Sequence, residues 1–196
     1  MIRAGSIEEI HWKSGNWVFL DIGFSNKSSS CGLLFGDGEA YEAQFNGAVS
    51  DICNFIKNCE SPVNLVVEAP LSVSFDKNGN PKGRKPERQN GKTRYWYVGL
   101  GCSVMVATTY LMREISKIHV NSEVRLFEGF VSFKSKNIAS NHSNDVLALR
   151  ASIKNPSIEA IVRPNELKID TSDIISSAFK VSGMDYGVPP IIQNHG

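Results

Sequence analysis

The chain has 196 residues, 41% of them hydrophobic and 21% charged, which is the size and composition of one globular domain rather than a disordered or fibrous chain. Its formal net charge is +1, so bulk charge announces no nucleic-acid partner, although a local basic patch can still serve one. The four cysteines, Cys31, Cys53, Cys59 and Cys102, form no CxxC pair and read as thiols of a reducing compartment, not as a disulfide or zinc framework. No apolar run is long enough to span a bilayer, and Met1–Ile10 lacks the apolar core of a signal peptide. The expected compartment is the cytoplasm, with no membrane partner.

The first clear element is Trp17-Val-Phe-Leu-Asp-Ile22, a mostly apolar strand entered from the turn-like Lys13-Ser-Gly-Asn16. After a polar connection, Cys31–Phe35 reads as a second strand, Gly36-Asp-Gly38 as a tight turn and Glu39–Phe45 as the returning third strand. The turn is not a phosphate loop, because the lysine and Ser/Thr of that motif are absent. Val49, Ile52, Cys53 and Ile56 then recur at helical spacing, predicting a helix over Gly47–Asn58. Val63–Val67 is a fourth strand running into Glu68-Ala-Pro70. A crossover through the helix can set it beside the first strand.

From Leu71 to about residue 95 the sequence turns polar and basic and is longer than an ordinary connection, which reads as a basic insertion in a single domain of residues 1–196. Leu100, Val104, Ala107, Leu111 and Ile115 predict a long helix, and Glu123–Phe127 a fifth strand ending at Glu128. Ser143–Ile153 reads as a helix stopped by Pro156. Asp170-Thr-Ser-Asp173 reads as the start of a short last helix whose buried stripe is Ile174, Ile175, Ala178 and Phe179, and Gly187-Val-Pro-Pro190 as an extended tail. The expected fold is α/β: a mixed five-stranded sheet, with an antiparallel meander of strands one to three and parallel strands four and five, flanked by helices.

Two carboxylates stand out. Asp21 lies in an apolar strand, where a charge is costly unless paired or bound to metal, and Glu68 ends the other central strand. If those strands are neighbours, the two converge at the sheet edge where α/β folds place their sites. A third carboxylate from a helix would complete an oxygen-rich site suited to Mg²⁺ or Mn²⁺, able to activate water and stabilise the leaving oxygen in phosphodiester hydrolysis. Two candidates stay open for that ligand. Asp173 is placed first, because the small residues of Ile-Ile-Ser-Ser-Ala178 would let a helix approach the sheet. Asp145, with His142 one turn before it, is the other, but Val-Leu-Ala-Leu-Arg150 carries an arginine that fits a tight interface less comfortably. Each also reads as an ordinary first-turn helix carboxylate. Glu128 also ends a strand and is a further candidate metal ligand. In the basic segment, Lys85, Arg88 and Arg94 are candidate contacts to a phosphate backbone, with Tyr95, Trp96 and Tyr97 available to stack on bases.

Leu20-Asp-Ile-Gly23, Val67-Glu-Ala-Pro-Leu71, Glu128-Gly-Phe-Val-Ser-Phe133 and Asp170-Thr-Ser-Asp-Ile-Ile-Ser-Ser-Ala178 together resemble the ribonuclease-H-like superfamily. Within it the chain is most similar to a family of small single-domain predicted nucleases, and more distantly to RuvC-type resolvases. The resemblance implies an acidic residue in the first strand (Asp21), one ending the fourth (Glu68), one opening the last helix (Asp173) and a strand-five glutamate (Glu128). His142-Ser-Asn-Asp145 also imitates the resolvase pattern of His or Asp three residues before the final Asp. The implied function is a metal-dependent nuclease, with nothing in the sequence to distinguish DNA from RNA as its substrate. The competing class is a non-catalytic ribonuclease-H-like module that binds nucleic acid or protein. An actin-like phosphotransferase shares the Asp-Ile-Gly strand but needs two such domains.

Overall fold

The computed structural model describes residues 1–24, 30–89, 92–93, 100–131 and 141–194. In chain order they form β1 (Ile2–Ala4), β2 (Asn16–Asp21), β3 (Cys31–Phe35), β4 (Tyr41–Ala43), α1 (Phe45–Lys57), β5 (Val63–Glu68), β6 (Ser72–Phe75) and β7 (Pro81–Lys82). Then follow β8 (Arg88–Gln89), β9 (Lys92–Thr93), α2 (Leu100–Lys117), β10 (Val124–Val131), α3 (His142–Lys154), β11 (Ile161–Val162), β12 (Ile174–Ser177) and β13 (Ile191–Asn194). The main sheet runs β11-β13-β10-β5-β2-β3-β4, with β1 also paired to β10. The β2-β3-β4 meander is antiparallel, and β2, β5 and β10 are mutually parallel neighbours. The fold is therefore α/β with a mixed sheet flanked by helices.

The main sheet has eight strands where five were expected. Two of the additions, β1 and β13, lie end to end along one edge of β10: β1 pairs with Val124–Leu126 and β13 with Glu128–Val131. The expected C-terminal tail is thus a sheet strand. Its two prolines stop short of the ladder, and the Pro190 carbonyl still accepts from the Glu128 amide at 3.2 Å, a use of proline that the start of a strand permits. Partners on both edges bury every residue of β10 except Arg125.

The expected last helix is also corrected. Ile174–Ser177 is β12, antiparallel to β6, in a small second sheet ordered β12-β6-β7. Two consecutive β-branched residues followed by two serines make a poor helix and a good strand beside an available edge. Ile174 is 57% exposed, so the expected apolar stripe does not exist; Ala178 and Phe179 are buried from a turn instead.

Strand alternation sorts the core into two layers. Val18, Leu20, Leu65, Val67, Val124 and Leu126 pack against Ala48, Ile52 and Ile56 of α1 and Ala107, Leu111 and Ile115 of α2. Trp17, Phe19, Val66 and Phe127 face the other way, against Val146, Leu149 and Ile153 of α3. Trp17 lies between Phe19, stacked at a centroid separation of 6.0 Å, and Phe127, tilted at 5.3 Å, and its burial contributes roughly 4–6 kcal/mol of gross hydrophobic stabilisation. Among the described residues no helix is long and apolar enough to cross a membrane.

Candidate metal centre

The same alternation fixes where each carboxylate points. In β2, Trp17 and Phe19 face α3, so Asp21 does too. In β5, Val66 faces α3, so Glu68 does too. The β2-β5 register makes Asp21 and Glu68 Cα partners, which places their backbones about 4.8 Å apart across the ladder. The strands end together, and both side chains leave the sheet on the face covered by α3.

α3 begins directly over this pair. Asn141 caps it by accepting from the Ser143 amide at 2.8 Å, and His142 and Asp145 follow one turn apart. His142 Nδ1 lies 2.6 Å from Asp21 Oδ2. Ligand atoms of Asp21, His142 and Asp145 all fall within 4.8 Å of one another, a group that can hold a metal ion. Asp21 and Asp145 are both buried, at 5% exposure, and His142 is half-buried.

Such closeness between a helix and a sheet needs missing side chains, and the sheet supplies them. A Cβ on Gly32, the Cα partner of Asp21 in β3, would run into the backbone carbonyl of His142 and come within 3.0 Å of its Cβ. A Cβ on Gly23 would strike Nε2 of the His142 ring and lie 2.8 Å from Cε1. A third, on Gly129 of β10, would meet Leu149 of α3 at 2.8 Å. Three glycines therefore form the seat on which α3 lowers His142 and Asp145 onto Asp21.

Burial pushes the Asp21 carboxyl above the usual aspartate range. The His142 hydrogen bond draws it back down, and the neighbouring Asp145 pushes it up again. The same bond to Asp21 raises His142, and desolvation opposes it. When Asp21 is ionised its carboxylate only accepts, so Nδ1–H donates to it, and a neutral ring then keeps its lone pair on Nε2. Two carboxyls and an imidazole at this spacing form a set that a cation would relieve.

Glu68 stands beside the group, and its Oε1 accepts from the Val131 amide at 3.3 Å, which ties it to β10. Asp173, expected as the third ligand, is not brought to Asp21. It sits in the turn before β12, where Oδ1 accepts from Lys82 Nζ at 2.7 Å and Oδ2 from the amides of Ile169 and Asp170 at 3.0 and 2.9 Å. Lys82 and those amides hold its carboxyl below the ordinary range. It staples a turn.

Glu128 follows Phe127, which faces α3, so alternation turns it to the opposite face. There it receives a two-pronged bond from Arg84, Nη1 to Oε2 and Nη2 to Oε1, both 2.8 Å, together with the Leu71 amide at 2.9 Å. The expected metal-ligand role is replaced by a buried ion pair. Of the expected phosphate contacts, Lys85 and Arg88 are exposed. Arg94 and the Tyr95-Trp96-Tyr97 run lie outside the described residues. The i, i+3 spacing of His142 and Asp145, which makes Asp145 the alternative third ligand in the sequence, is the signal that carries information. No family model, curated protein or solved structure matches this chain.

Proposed function

We propose that this chain is a divalent-metal-dependent phosphodiesterase acting on nucleic acid, with a ribonuclease-H-like architecture. The observation that carries the reading is the convergence of Asp21, His142 and Asp145 within 4.8 Å at the end of the central parallel strands, with Glu68 alongside in register. The β3-β2-β5-β10 order, antiparallel then parallel, supports the architecture, and the His142/Asp145 spacing favours the resolvase-like version of the pattern over one completed by Asp173.

Asp21 and Asp145 would hold Mg²⁺ or Mn²⁺ directly, with Glu68 on the neighbouring strand and the His142 imidazole completing the set; the imidazole fits Mn²⁺ better than Mg²⁺. The bound ion would activate water and stabilise the leaving oxygen. The protein's own residues orient: the Nδ1–H bond fixes the Asp21 carboxylate, and the glycine seat fixes His142.

The test is cleavage of labelled single- and double-stranded DNA and RNA with and without Mn²⁺. Wild type should cleave at least one substrate only with metal, and Asp21→Asn should abolish cleavage while keeping the circular-dichroism spectrum. Wild-type-like cleavage by Asp21→Asn sinks the proposal. Undiminished nucleic-acid binding by a wild type that cleaves nothing would favour the non-catalytic module.

A further inference from the structure

The basic segment after Glu68 contains one arginine that is not a surface charge at all. Arg84 is 0% exposed, and its guanidinium is shared between two buried carboxylates: Glu128 from β10, and Glu87 three residues on, bound at 2.9 Å from Nη2 and 3.1 Å from Nε. Nη1 also donates to Ser72 Oγ at 2.8 Å. The backbone around it is pinned as well. The Arg84 amide donates to Glu87 Oε2 at 2.7 Å, and the Lys85 amide to the Leu167 carbonyl at 2.9 Å.

Residues 85 to 87 form a single 3-10 turn closed by the Arg88 amide on the Lys85 carbonyl. Burial follows the turn: Arg84 and Glu87 point in, while Lys85 and Arg88 are exposed. Residues three apart on a 3-10 turn eclipse one another, so the two cations stand at neighbouring places on one outer face. Two acids close to the turn, Glu87 within it and Glu166 beside the Leu167 that accepts from the Lys85 amide, are engaged elsewhere. Glu87 is held by Arg84, and Glu166 turns back to the Arg163 amide. The turn is anchored to Glu128, whose Cα partner in β5 is Val67, the residue before Glu68. It therefore stands at the strand end that also carries the carboxylates, reached through the opposite face of the sheet.

We propose that Lys85 and Arg88 form a pre-positioned ridge that grips the phosphodiester backbone of a nucleic acid, with Arg84 the positioning residue that locks the ridge to the strand end whose other face carries the metal centre. The inference rests on the phosphodiesterase reading for the identity of the anion. Long flexible cations ordinarily surrender ordering entropy on binding. Here the backbone that carries them is already fixed by a buried ion pair, so only the side-chain tips remain to be ordered. Such a ridge binds phosphate and reads no bases.

The experiment uses the full chain carrying Asp21→Asn, which separates binding from cleavage, and fluorescent 20-mers of single-stranded DNA, single-stranded RNA and duplex DNA. Lys85→Ala/Arg88→Ala is compared with Lys57→Ala/Arg113→Ala, a pair exposed on α1 and α2 that removes equal charge. Loss of two phosphate contacts should shallow the salt dependence by about 1.4 for single strands or 1.8 for duplex. Between 50 and 200 mM salt the parent should then lose about sevenfold more single-strand affinity than the ridge variant. The control pair should behave as the parent. Equal affinities and slopes for ridge variant and parent overturn the inference, even if the wild type cleaves. A ridge-dependent slope in a protein whose wild type never cleaves retains the ridge and rejects the phosphodiesterase instead.

Discussion

Replacing Arg84 by methionine tests whether the buried ion pair organises the segment after Glu68. The variant removes five side-chain hydrogen bonds, two to Glu128, two to Glu87 and one to Ser72, while keeping most of the apolar volume. It leaves Glu87 and Glu128, both 0% exposed, without their cation. Stranding buried charge in this way costs about 3–5 kcal/mol. In a chain of this size that lowers the melting temperature by about 10 °C. Urea and thermal unfolding at pH 7 followed by circular dichroism would measure it. The sign of the pH response follows from Glu87, whose carboxyl burial already raises above the ordinary range while Arg84 opposes. A buried carboxyl with a raised folded pKa binds more protons folded than unfolded. Its contribution to stability therefore declines as pH rises from about 4.5 through the folded value. Without Arg84 that window widens upward, so the gap between wild type and variant should narrow from pH 7 to pH 5. Replacing all three residues with apolar ones, Arg84→Met/Glu87→Leu/Glu128→Leu, should recover most of the loss. A loss below about 1 kcal/mol for Arg84→Met, or a gap indifferent to pH, would refute the reasoning.

Saturating Mn²⁺ at about 100 times its dissociation constant should stabilise the wild type by about 2.7 kcal/mol, read as a thermal shift, whereas Asp21→Asn should show none; an equal shift in both would place the ion elsewhere. Gly32→Ala should cost about 1–3 kcal/mol and weaken Mn²⁺ binding, because its methyl meets the His142 carbonyl, while Gly47→Ala inside α1, with nothing nearer than the Ala43 Cβ at 3.9 Å, should gain up to about 1 kcal/mol. Same-sign effects in urea unfolding would remove the glycine seat from the account. His142 and Asp21 both have raised folded pKa values, so the stability each contributes is present when protonated and lost as pH rises through its folded value. The metal-free protein should thus lose stability as pH rises from about 6.5 through the raised His142 value while Mn²⁺ affinity climbs, and His142→Gln should flatten the first trend.

Much of the frame was legible because periodicity reports burial on one face. The apolar runs of β2, β3 and β5 and the helical stripes of α1, α2 and α3 appear within a few residues of their expected places. The elements that escaped are short or lean on distant partners. β1 has three residues and β11 two, too few to show any period, and β13 follows two prolines that read as a tail. Nothing in the composition of the basic segment sets Arg84 apart from its exposed neighbours, because its partner lies 44 residues away and only the fold brings Glu128 to it.

The choice between Asp145 and Asp173 turned on a sound premise applied to the wrong partner. A carboxylate on a helix reaches a strand-borne aspartate only if helix and sheet come very close. Small residues after Asp173 looked like the means, and Arg150 after Asp145 like an obstacle. In the structure the clearance comes from the sheet: Gly23, Gly32 and Gly129 lack the side chains that α3 would strike, so the helix itself can be bulky. Arg150 is no obstacle, because it reaches past the interface and donates to the Gly38 carbonyl at 2.8 Å, using the β3–β4 turn as its acceptor. Two glycines in or just after the strands that flank an acidic residue are therefore the sharper signal for a helix-borne ligand than small residues on the helix, and both stood in the sequence, in Asp21-Ile-Gly23 and Cys31-Gly32.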